Sequence, residues 1–408
     1  MHNEYLKTAV RLGNQICREA LRHEGRANWI ATTSEPGHKY PKPYYKALQG
    51  DWYSGTSGIA FFLANLYIVS QEEIHKEIAI ESIQQALSVK DKVEFGQLGF
   101  HSGRTGIAFS AIKVGELLQQ PAFIEEGLTI LKQLNRLPKE KYTLDIIDGC
   151  AGAIPAILNV IKKYPSQELE TLLKKMGTFL MESVQPEKSG CSWNTMPQGT
   201  SGNLTGYAHG ASGIALALLE LGTYWQDKTY LKMASLGFAY EDSLFNQQQQ
   251  NWPDLRKIDG IESSEKEVCG CAWCHGAPGI GLARLRAYQL TQKNIYWQQA
   301  ATAIKTTEQK LNLTHLGNFS LCHGVLGNAE LLLYANEIRP KSTYIEKAVS
   351  VGKLLTKNYE QKHIPIPNGT QTNYFSPDMM LGLSGMGYYF LRLLDAKQFP
   401  SVLLISPN

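Results

Sequence analysis

The chain of 408 residues lacks the features of several protein classes. Charged residues make up only 19% of it, the net charge is +3, and no block of Lys and Arg stands out. This pattern does not indicate a nucleic-acid-binding groove. No run of 18 uncharged apolar residues exists, so no transmembrane segment is expected. The N-terminus, from Met1 onward, lacks the basic and apolar regions of a secretory signal.

Cysteines are few, and their number does not suit a set of disulfides. The chain has seven, and four of them lie between Cys269 and Cys322. An odd number clustered in one segment favours reduced thiols over a disulfide framework. We therefore expect a cytoplasmic protein.

Glycine, by contrast, recurs in a regular pattern. Seven Gly-x-x-Gly motifs each precede an apolar segment, and their first glycines are about 46 to 66 residues apart. The first glycines are Gly55, Gly103, Gly149, Gly210, Gly276, Gly324 and Gly382. A helix that is apolar on all faces belongs in a buried position, so each motif predicts the start of an inner helix.

Amphipathic segments alternate with these apolar runs. Their apolar residues recur near i, i+3, i+4 and i+7, which predicts half-buried helices. The segments are residues 5–23, 72–88, 121–137, 166–184, 227–245, 293–313 and 342–358. The alternation predicts an all-α fold, an α/α toroid (barrel) of seven inner and seven outer helices. An unbroken repeat predicts a single domain over residues 1–408, with loops at Gln185–Gly206 and Gln247–Cys271.

Two of the seven motifs carry cysteine and histidine. Cys274 and Cys322 lie two residues before the first glycines of consecutive repeats, and His323 follows Cys322. Consecutive repeats are neighbours in a toroid, so these three side chains are predicted to bind one Zn²⁺, with the fourth position open to water or substrate. His275 could replace His323 as a ligand or act as an acid or base. Packing of the cysteines as small apolar side chains is the alternative.

Two further cysteines lie close to Cys274. Cys269 and Cys271 could supply extra ligands and close the zinc site, which would make it structural. Their presence as spare thiols in a loop is the interpretation that we favour.

Other polar groups also lie beside the motifs. His209 precedes Gly210 in the register of His275, and histidine has a suitable pKa for proton transfer near neutrality. Asp145 could orient His209. Alternatively, Asp145 caps a helix and His209 is an ordinary hydrogen-bonded histidine. His101 is a weaker candidate.

At these residues the sequence resembles the lanthionine synthetase C-like family, the LanC-type cyclases. The resemblance covers essentially all seven repeats. Its most specific parts are Trp273-Cys-His-Gly-Ala-Pro-Gly279, Leu321-Cys-His-Gly324, Ala208-His-Gly210, Asp145-Ile-Ile-Asp-Gly149 and Asn251-Trp-Pro-Asp-Leu-Arg256. The first and last of these look most like the cyclase half of the two-domain LanM enzymes.

The resemblance implies an α/α toroid with a central zinc. It implies that Cys274, Cys322 and His323 bind the metal and that His209 and Asp145 are catalytic. LanC cyclases also have an arginine four residues before the first zinc cysteine, and here that position is Gly270.

The reaction that the resemblance implies is addition of a peptide cysteine to dehydroalanine or dehydrobutyrine, which forms a (methyl)lanthionine thioether. His209 is the expected proton donor, with His275 as second choice. The expected partners are a dehydrated precursor peptide and a separate dehydratase, unless the chain is a detached LanM domain. Two alternatives stay open: a LanC-like protein that adds glutathione to dehydrated residues, and a non-catalytic zinc-containing peptide-binding scaffold. A toroidal glycosidase is disfavoured because Asp145 and Asp148 have no obvious carboxylate partner.

Overall fold

The computed structural model describes residues 2–34, 43–93, 98–197, 200–256, 268–311, 317–370 and 375–407. Within these ranges the chain forms fourteen α-helices. They are α1 (His2–Arg18), α2 (Thr56–Ser70), α3 (Glu73–Ser88), α4 (Arg104–Leu117), α5 (Pro121–Gln133), α6 (Cys150–Lys163), α7 (Gln167–Glu182), α8 (Ala211–Trp225), α9 (Lys228–Ser243), α10 (Ala277–Thr291), α11 (Asn294–Lys310), α12 (Val325–Ile338), α13 (Ser342–Asn358) and α14 (Leu383–Leu394).

The predicted alternation of helices is confirmed. Each even-numbered helix begins directly after the first glycine of a Gly-x-x-Gly motif, and that glycine is its N-cap. These seven are the inner helices, and they are buried along most of their length. The seven odd-numbered helices correspond to the amphipathic segments, and α13 has the predicted limits. No described helix combines the length and the apolar character needed to cross a bilayer.

Three pairs of short antiparallel strands in the described ranges were not predicted. They pair β1 (Leu21–His23) with β2 (Arg26–Asn28), β3 (Ile30–Ser34) with β4 (Pro43–Ala47), and β5 (Gln185–Glu187) with β6 (Gly190–Ser192).

The first hairpin shortens the first predicted helix, which was expected to extend to residue 23. Glu24 and Gly25 both have positive φ, 48° and 71°, which is the backbone of a tight two-residue hairpin turn. The third hairpin corrects the prediction that Gln185–Gly206 is a loop throughout. Part of the other predicted loop, residues 257–267, lies outside the described residues.

The Cα positions divide the chain into two compact units. Unit 1 comprises Met1–Glu94, Ser102–Ile130 and Asn312–Leu403, and unit 2 comprises Phe95–His101, Leu131–Leu311 and Leu404–Asn408. In unit 1, α2 packs against α14 and α4, and the first outer helix, α1, packs against α14. In unit 2, α8 packs against α6, α10 and its outer partner α9. The single domain over residues 1–408 stays a prediction.

The second glycine of the motif lies against a backbone carbonyl six residues earlier. A Cβ atom on Gly385 would lie 2.0 Å from Met379 O, and one on Gly279 would lie 2.0 Å from Trp273 O. Gly58, Gly152, Gly213 and Gly327 make the same contact. The motif therefore encodes a turn that folds back onto the first turn of its inner helix, and only glycine leaves room for that carbonyl. We call the residues that lead to each first glycine a glycine turn.

Backbone hydrogen bonds connect successive glycine turns in unit 2. Ile146 N donates to Ala208 O at 3.0 Å, and Ala208 N donates to Cys274 O at 3.3 Å. His101 N donates to Ile147 O at 3.1 Å. Every acceptor in this ladder is the carbonyl of the residue two positions before a first glycine.

The same register recurs in unit 1. Cys322 N donates to Met380 O, and Met380 N donates to Tyr53 O, each at 3.0 Å. Met380 and Tyr53 also stand two positions before a first glycine. The ladder uses backbone groups only, so it fixes the turns whatever side chains they carry.

Three glycine turns contain an aspartate four residues before the first glycine. In each, Oδ1 of the aspartate accepts the backbone N–H of the residue three positions later, which is a local turn that aspartate commonly makes. The pairs are Asp51 with Ser54 at 2.7 Å, Asp145 with Asp148 at 2.8 Å and Asp378 with Leu381 at 2.7 Å. This turn occupies only one oxygen of each carboxylate.

Replacement of Gly385 by alanine tests the steric role of the motif. Alanine favours helix by about 1 kcal/mol over glycine, but the new Cβ requires a backbone shift, and we expect a net loss of about 2–4 kcal/mol. The free energy of unfolding from denaturant titration measures this loss. Gly317 is the control because, among the described residues other than its chain neighbours, no atom lies within 4 Å of its added Cβ. Equal effects of Gly385→Ala and Gly317→Ala would contradict the steric role.

Asp51 gives a prediction for stability against pH. Burial, assisted by the nearby charge of Asp378, raises the pKa of Asp51 from 3.8 to about 6. Between these pH values the carboxyl of Asp51 is protonated in the folded state and ionised in the unfolded state. The free energy of unfolding of the protein therefore falls by up to about 3 kcal/mol as the pH rises through this range. Asp51→Asn removes that loss. The melting temperature of the variant relative to the parent should therefore increase from pH 4 to pH 7; parallel curves would refute the assignment.

Candidate active site

The centre of the candidate site is a hydrogen-bonded pair in unit 2. His209 Nδ1 lies 2.5 Å from Asp145 Oδ2, so the predicted pairing of these residues is present. Because Asp145 Oδ1 already accepts from Asp148 N, the carboxylate is held at both oxygens. An ionised carboxylate can only accept, so Nδ1 of His209 carries the proton and Nε2 is left for a substrate. Asp145 is thus the partner of His209 and stabilises its own turn, whereas the N-cap of α6 is Gly149 and not Asp145.

His275 lies beside this pair in unit 2. The rings of His209 and His275 are stacked, with centroids 5.9 Å apart and an angle of 30°. His275 is only 4% exposed, yet neither ring nitrogen has a hydrogen-bond partner among the described residues. A buried imidazole left unsatisfied costs free energy, so its nitrogens are suited to a ligand or a substrate group.

An acidic and a basic side chain face His275. Asp254 Oδ1 lies 4.0 Å from His275 Nδ1, which is too far for a hydrogen bond. Arg256 holds the same carboxylate through two contacts, Nη2 to Oδ2 at 2.6 Å and Nε to Oδ1 at 3.0 Å. Asp254 and Arg256 belong to the motif Asn251–Arg256, and neither was predicted as a site residue.

Buried rings lie next to these polar groups. Trp273 is fully buried, and its ring contacts the ring of His101 at 5.2 Å and the ring of Tyr207 at 5.6 Å. These large side chains exclude water from one side of the site. A low local dielectric strengthens the interactions of the charged groups that remain.

The environments of the histidines shift their pKa values in opposite directions. Burial lowers the pKa of His209, but the hydrogen bond and charge of Asp145 outweigh it and the net pKa is raised. Burial, together with the charge of Arg256, lowers the pKa of His275 to about 4. Burial also lowers the pKa of His101 to about 3, which leaves that ring neutral. His209 is therefore the histidine of this group suited to hold a proton near pH 7.

The predicted zinc ligands lie in two glycine turns, with Cys274 and Cys322 at equivalent positions and His323 directly after Cys322. Cys274 belongs to unit 2 and is half-buried, whereas Cys322 and His323 belong to unit 1. His323 Nε2 lies 3.0 Å from Gly369 O. A carbonyl can only accept, so Nε2 is the protonated nitrogen and Nδ1 keeps its lone pair. Metal-binding histidines are commonly held in this way.

Among the residues that the structure describes, no group of three or more His, Cys, Asp or Glu side chains stands close enough to hold a metal ion. The set of Cys274, Cys322 and His323 therefore stays a prediction. Burial raises the pKa of Cys271 to about 11, which disfavours the thiolate form in which cysteine binds metals. The role of Cys269 and Cys271 as spare thiols also stays a prediction.

These features define an all-α repeat protein whose glycine turns present a carboxylate–imidazole pair. The profile of the lanthionine synthetase C-like family matches residues 46–404. The chain belongs to this family. The family resemblance seen in the sequence is thus confirmed.

Relatives span biosynthetic proteins and a transferase. The chain is 26% identical over 381 residues to the lacticin 481/lactococcin biosynthesis protein LcnDR2 of Lactococcus lactis subsp. lactis, which covers 88% of this chain and 37% of that protein. It is 25% identical over 309 residues to the nisin biosynthesis protein NisC of the same subspecies, covering 68% and 72%. It is 24% identical over 309 residues to the glutathione S-transferase LANCL1 of Danio rerio, covering 72% and 71%.

The fold has a solved counterpart. Nisin cyclase superposes with a TM-score of 0.65 at 17% sequence identity, covering 86% of this chain and 89% of that one. This likeness, with the alternation of inner and outer helices, confirms the predicted all-α fold of the α/α toroid class.

Proposed function

We propose that this protein is a zinc-dependent cyclase that adds peptide cysteine thiols to dehydroalanine or dehydrobutyrine. The observation that supports this most is the His209–Asp145 pair, a positioned proton donor beside the turn that carries Cys274. Membership of the lanthionine synthetase C-like family supports the same reaction class. A peptide substrate is supported by the relatives that are named as lacticin 481/lactococcin and nisin biosynthesis proteins.

The donor set fits Zn²⁺. Two thiolates and one imidazole are preferred zinc ligands, and His323 has the orientation in which Nδ1 is free to donate to a metal. Cys274, Cys322 and His323 would hold the ion. The chemistry that zinc would supply when bound is a lowered pKa of the incoming peptide thiol.

The side chains of unit 2 account for the proton that the addition requires. Attack of the peptide sulfur on Cβ of the dehydrated residue forms the C–S bond and leaves an enolate. A proton must then reach Cα, and protonated His209 supplies it from Nε2. Asp145 accepts from Nδ1, fixes the ring and stabilises its charged form. The thiol proton lost and the Cα proton gained balance the reaction.

We propose that Arg256 and His275 act on the enolate oxygen. The family's arginine position is Gly270 here, and Arg256 provides a cation beside His275. A positive charge that is held in a fixed position stabilises negative charge that develops near it. We therefore assign to Arg256 the electrostatic role, and to His275 the neutral hydrogen-bonding role or the second-choice acid.

Glutathione is the alternative thiol. The relative from Danio rerio is named a glutathione S-transferase, and it covers 72% of this chain. The same proton donor would serve addition of a tripeptide thiol to a dehydrated residue. Because the chain covers only 37% of LcnDR2, a separate dehydratase or a further domain is proposed as the source of the dehydrated peptide.

Replacement of His209 tests the proton donor. We expect His209→Ala to slow ring closure by about 10²–10⁴-fold, the usual contribution of general acid catalysis, with zinc content unchanged. The assay incubates a dehydrated precursor peptide with enzyme and counts remaining thiols by alkylation and mass spectrometry, with and without glutathione. His23→Ala, at a side chain that is 81% exposed, is the control. An unchanged rate in His209→Ala removes this residue from the mechanism, and products that contain glutathione alone favour the alternative.

Replacement of the cysteines tests the metal site. Cys274→Ala and Cys322→Ala should each lose bound zinc and cyclisation together, because each removes an anionic ligand. Elemental analysis of the purified proteins measures the zinc. Cys17→Ala, at a buried cysteine of α1, should keep the zinc content of the parent. Full zinc occupancy in both ligand variants would refute the assignment.

A further inference from the structure

A buried ion pair lies behind the turn that carries His209. Glu241 on α9 and Arg284 on α10 are both fully buried, with Nη2 of the arginine 3.1 Å from Oε2 of the glutamate. Arg284 interrupts an inner helix whose other early positions are apolar. A buried ion pair is often no more stabilising than apolar residues of similar volume, so stability alone does not account for it.

The glutamate is bonded to both sides of that turn. Gly206 N donates to Glu241 Oε1 at 2.6 Å, and Ser212 Oγ donates to Glu241 Oε2. Arg284 Nη1 also donates to Ser212 Oγ at 3.1 Å. Gly206 and Ser212 lie three residues before and three residues after His209. One carboxylate therefore accepts a backbone N–H on one side of His209 and a side-chain hydroxyl on the other.

The turn has little room to move. Gly206 has a φ of +102°, and a Cβ there would lie 3.1 Å from Cys274 O and 3.3 Å from the Cα of His275. Ala208 N is bonded to Cys274 O. A displacement of Gly206 would therefore move His209 relative to Asp145.

Arg284 is itself held on several sides. Its guanidinium lies 4.1 Å from the ring of Phe238 and donates to Gln299 Oε1 at 2.9 Å and to Asp242 Oδ1 at 3.1 Å. Gln299 in turn donates to Asp242. These contacts from α9 and α11 hold the guanidinium of Arg284 in place, and the guanidinium in turn holds the carboxylate of Glu241.

We propose that Glu241 and Arg284 are positioning residues for His209. Their ion pair fixes the carboxylate of Glu241, and this carboxylate fixes the chain on both sides of His209. The imidazole is thereby kept in the orientation in which it bonds to Asp145. The inference rests on the proposed function for its kinetic consequence, but the position of the imidazole can be measured without turnover.

The first measurement is nuclear magnetic resonance of the folded protein labelled with ¹⁵N-histidine. The Nδ1 proton of His209, bonded to Asp145, should give a downfield signal that His209→Gln identifies by its loss. In Glu241→Ala this signal should broaden or disappear, and in Glu241→Gln, which keeps an acceptor for Gly206 N, it should remain but shift. A signal identical to the parent in Glu241→Ala overturns the inference, whatever the enzyme does.

The control is an equally buried ion pair in unit 1. Glu330 and Arg392 are 3% and 1% exposed and 2.6 Å apart. Glu330→Ala should lower the melting temperature much as Glu241→Ala does, while the His209 signal stays that of the parent. Loss of the signal in both variants would mean a general structural effect and would also overturn the inference.

The second measurement is the rate of ring closure. Glu241→Ala should lower kcat by about 10–100-fold with little change in KM for the peptide, because it misplaces a proton donor rather than a binding surface. In the His209→Ala background the same substitution should add no further loss. Additive losses would mean that Glu241 does not act through His209. Absence of turnover in the parent would refute the proposed function, and the resonance of His209 would still decide the positioning role.

Discussion

In six of the seven repeats, a backbone carbonyl occupies the space where the second glycine would carry a side chain. This contact folds the glycine turn back onto its own inner helix and brings the residues of the turn to the helix N-terminus. The turns can then bond to one another through backbone groups within each unit. The positions of the functional side chains follow from this steric constraint, because each stands at a fixed distance along the chain from a first glycine.

The candidate site combines one imidazole stabilised in its charged form with one stabilised in its neutral form. Asp145 keeps a proton on His209, whereas burial and Arg256 disfavour a proton on His275. Two similar side chains with stacked rings thereby acquire different chemistry from their surroundings. The buried ion pair of Glu241 and Arg284 lies behind His209 and is proposed to hold it in position.

Much of this arrangement could be read from the sequence. The helices were predictable because their signals are local: a glycine motif at the start and an apolar period along the length. The pairing of Asp145 with His209 was one of two alternatives that their places beside the glycine motifs left open. The paired strands escaped prediction because strands of three to five residues are too short to show a clear period. Glu241 and Arg284 escaped it because their contact joins residues far apart in the chain, although an arginine within an apolar inner helix was a visible signal.

The ladder between turns has a consequence for how such a site can change. Its acceptors are carbonyls at one register position, and that position is occupied by Tyr53, His101, Ile147, Ala208, Cys274, Cys322 and Met380 in the seven repeats. Residues as different as alanine and tyrosine make these hydrogen bonds at this position, because only the backbone N–H and C=O groups take part. The seven equivalent positions can therefore exchange side chains in evolution or by design. A thiol or an imidazole can move from one repeat to another while the backbone hydrogen bonds between the turns are preserved.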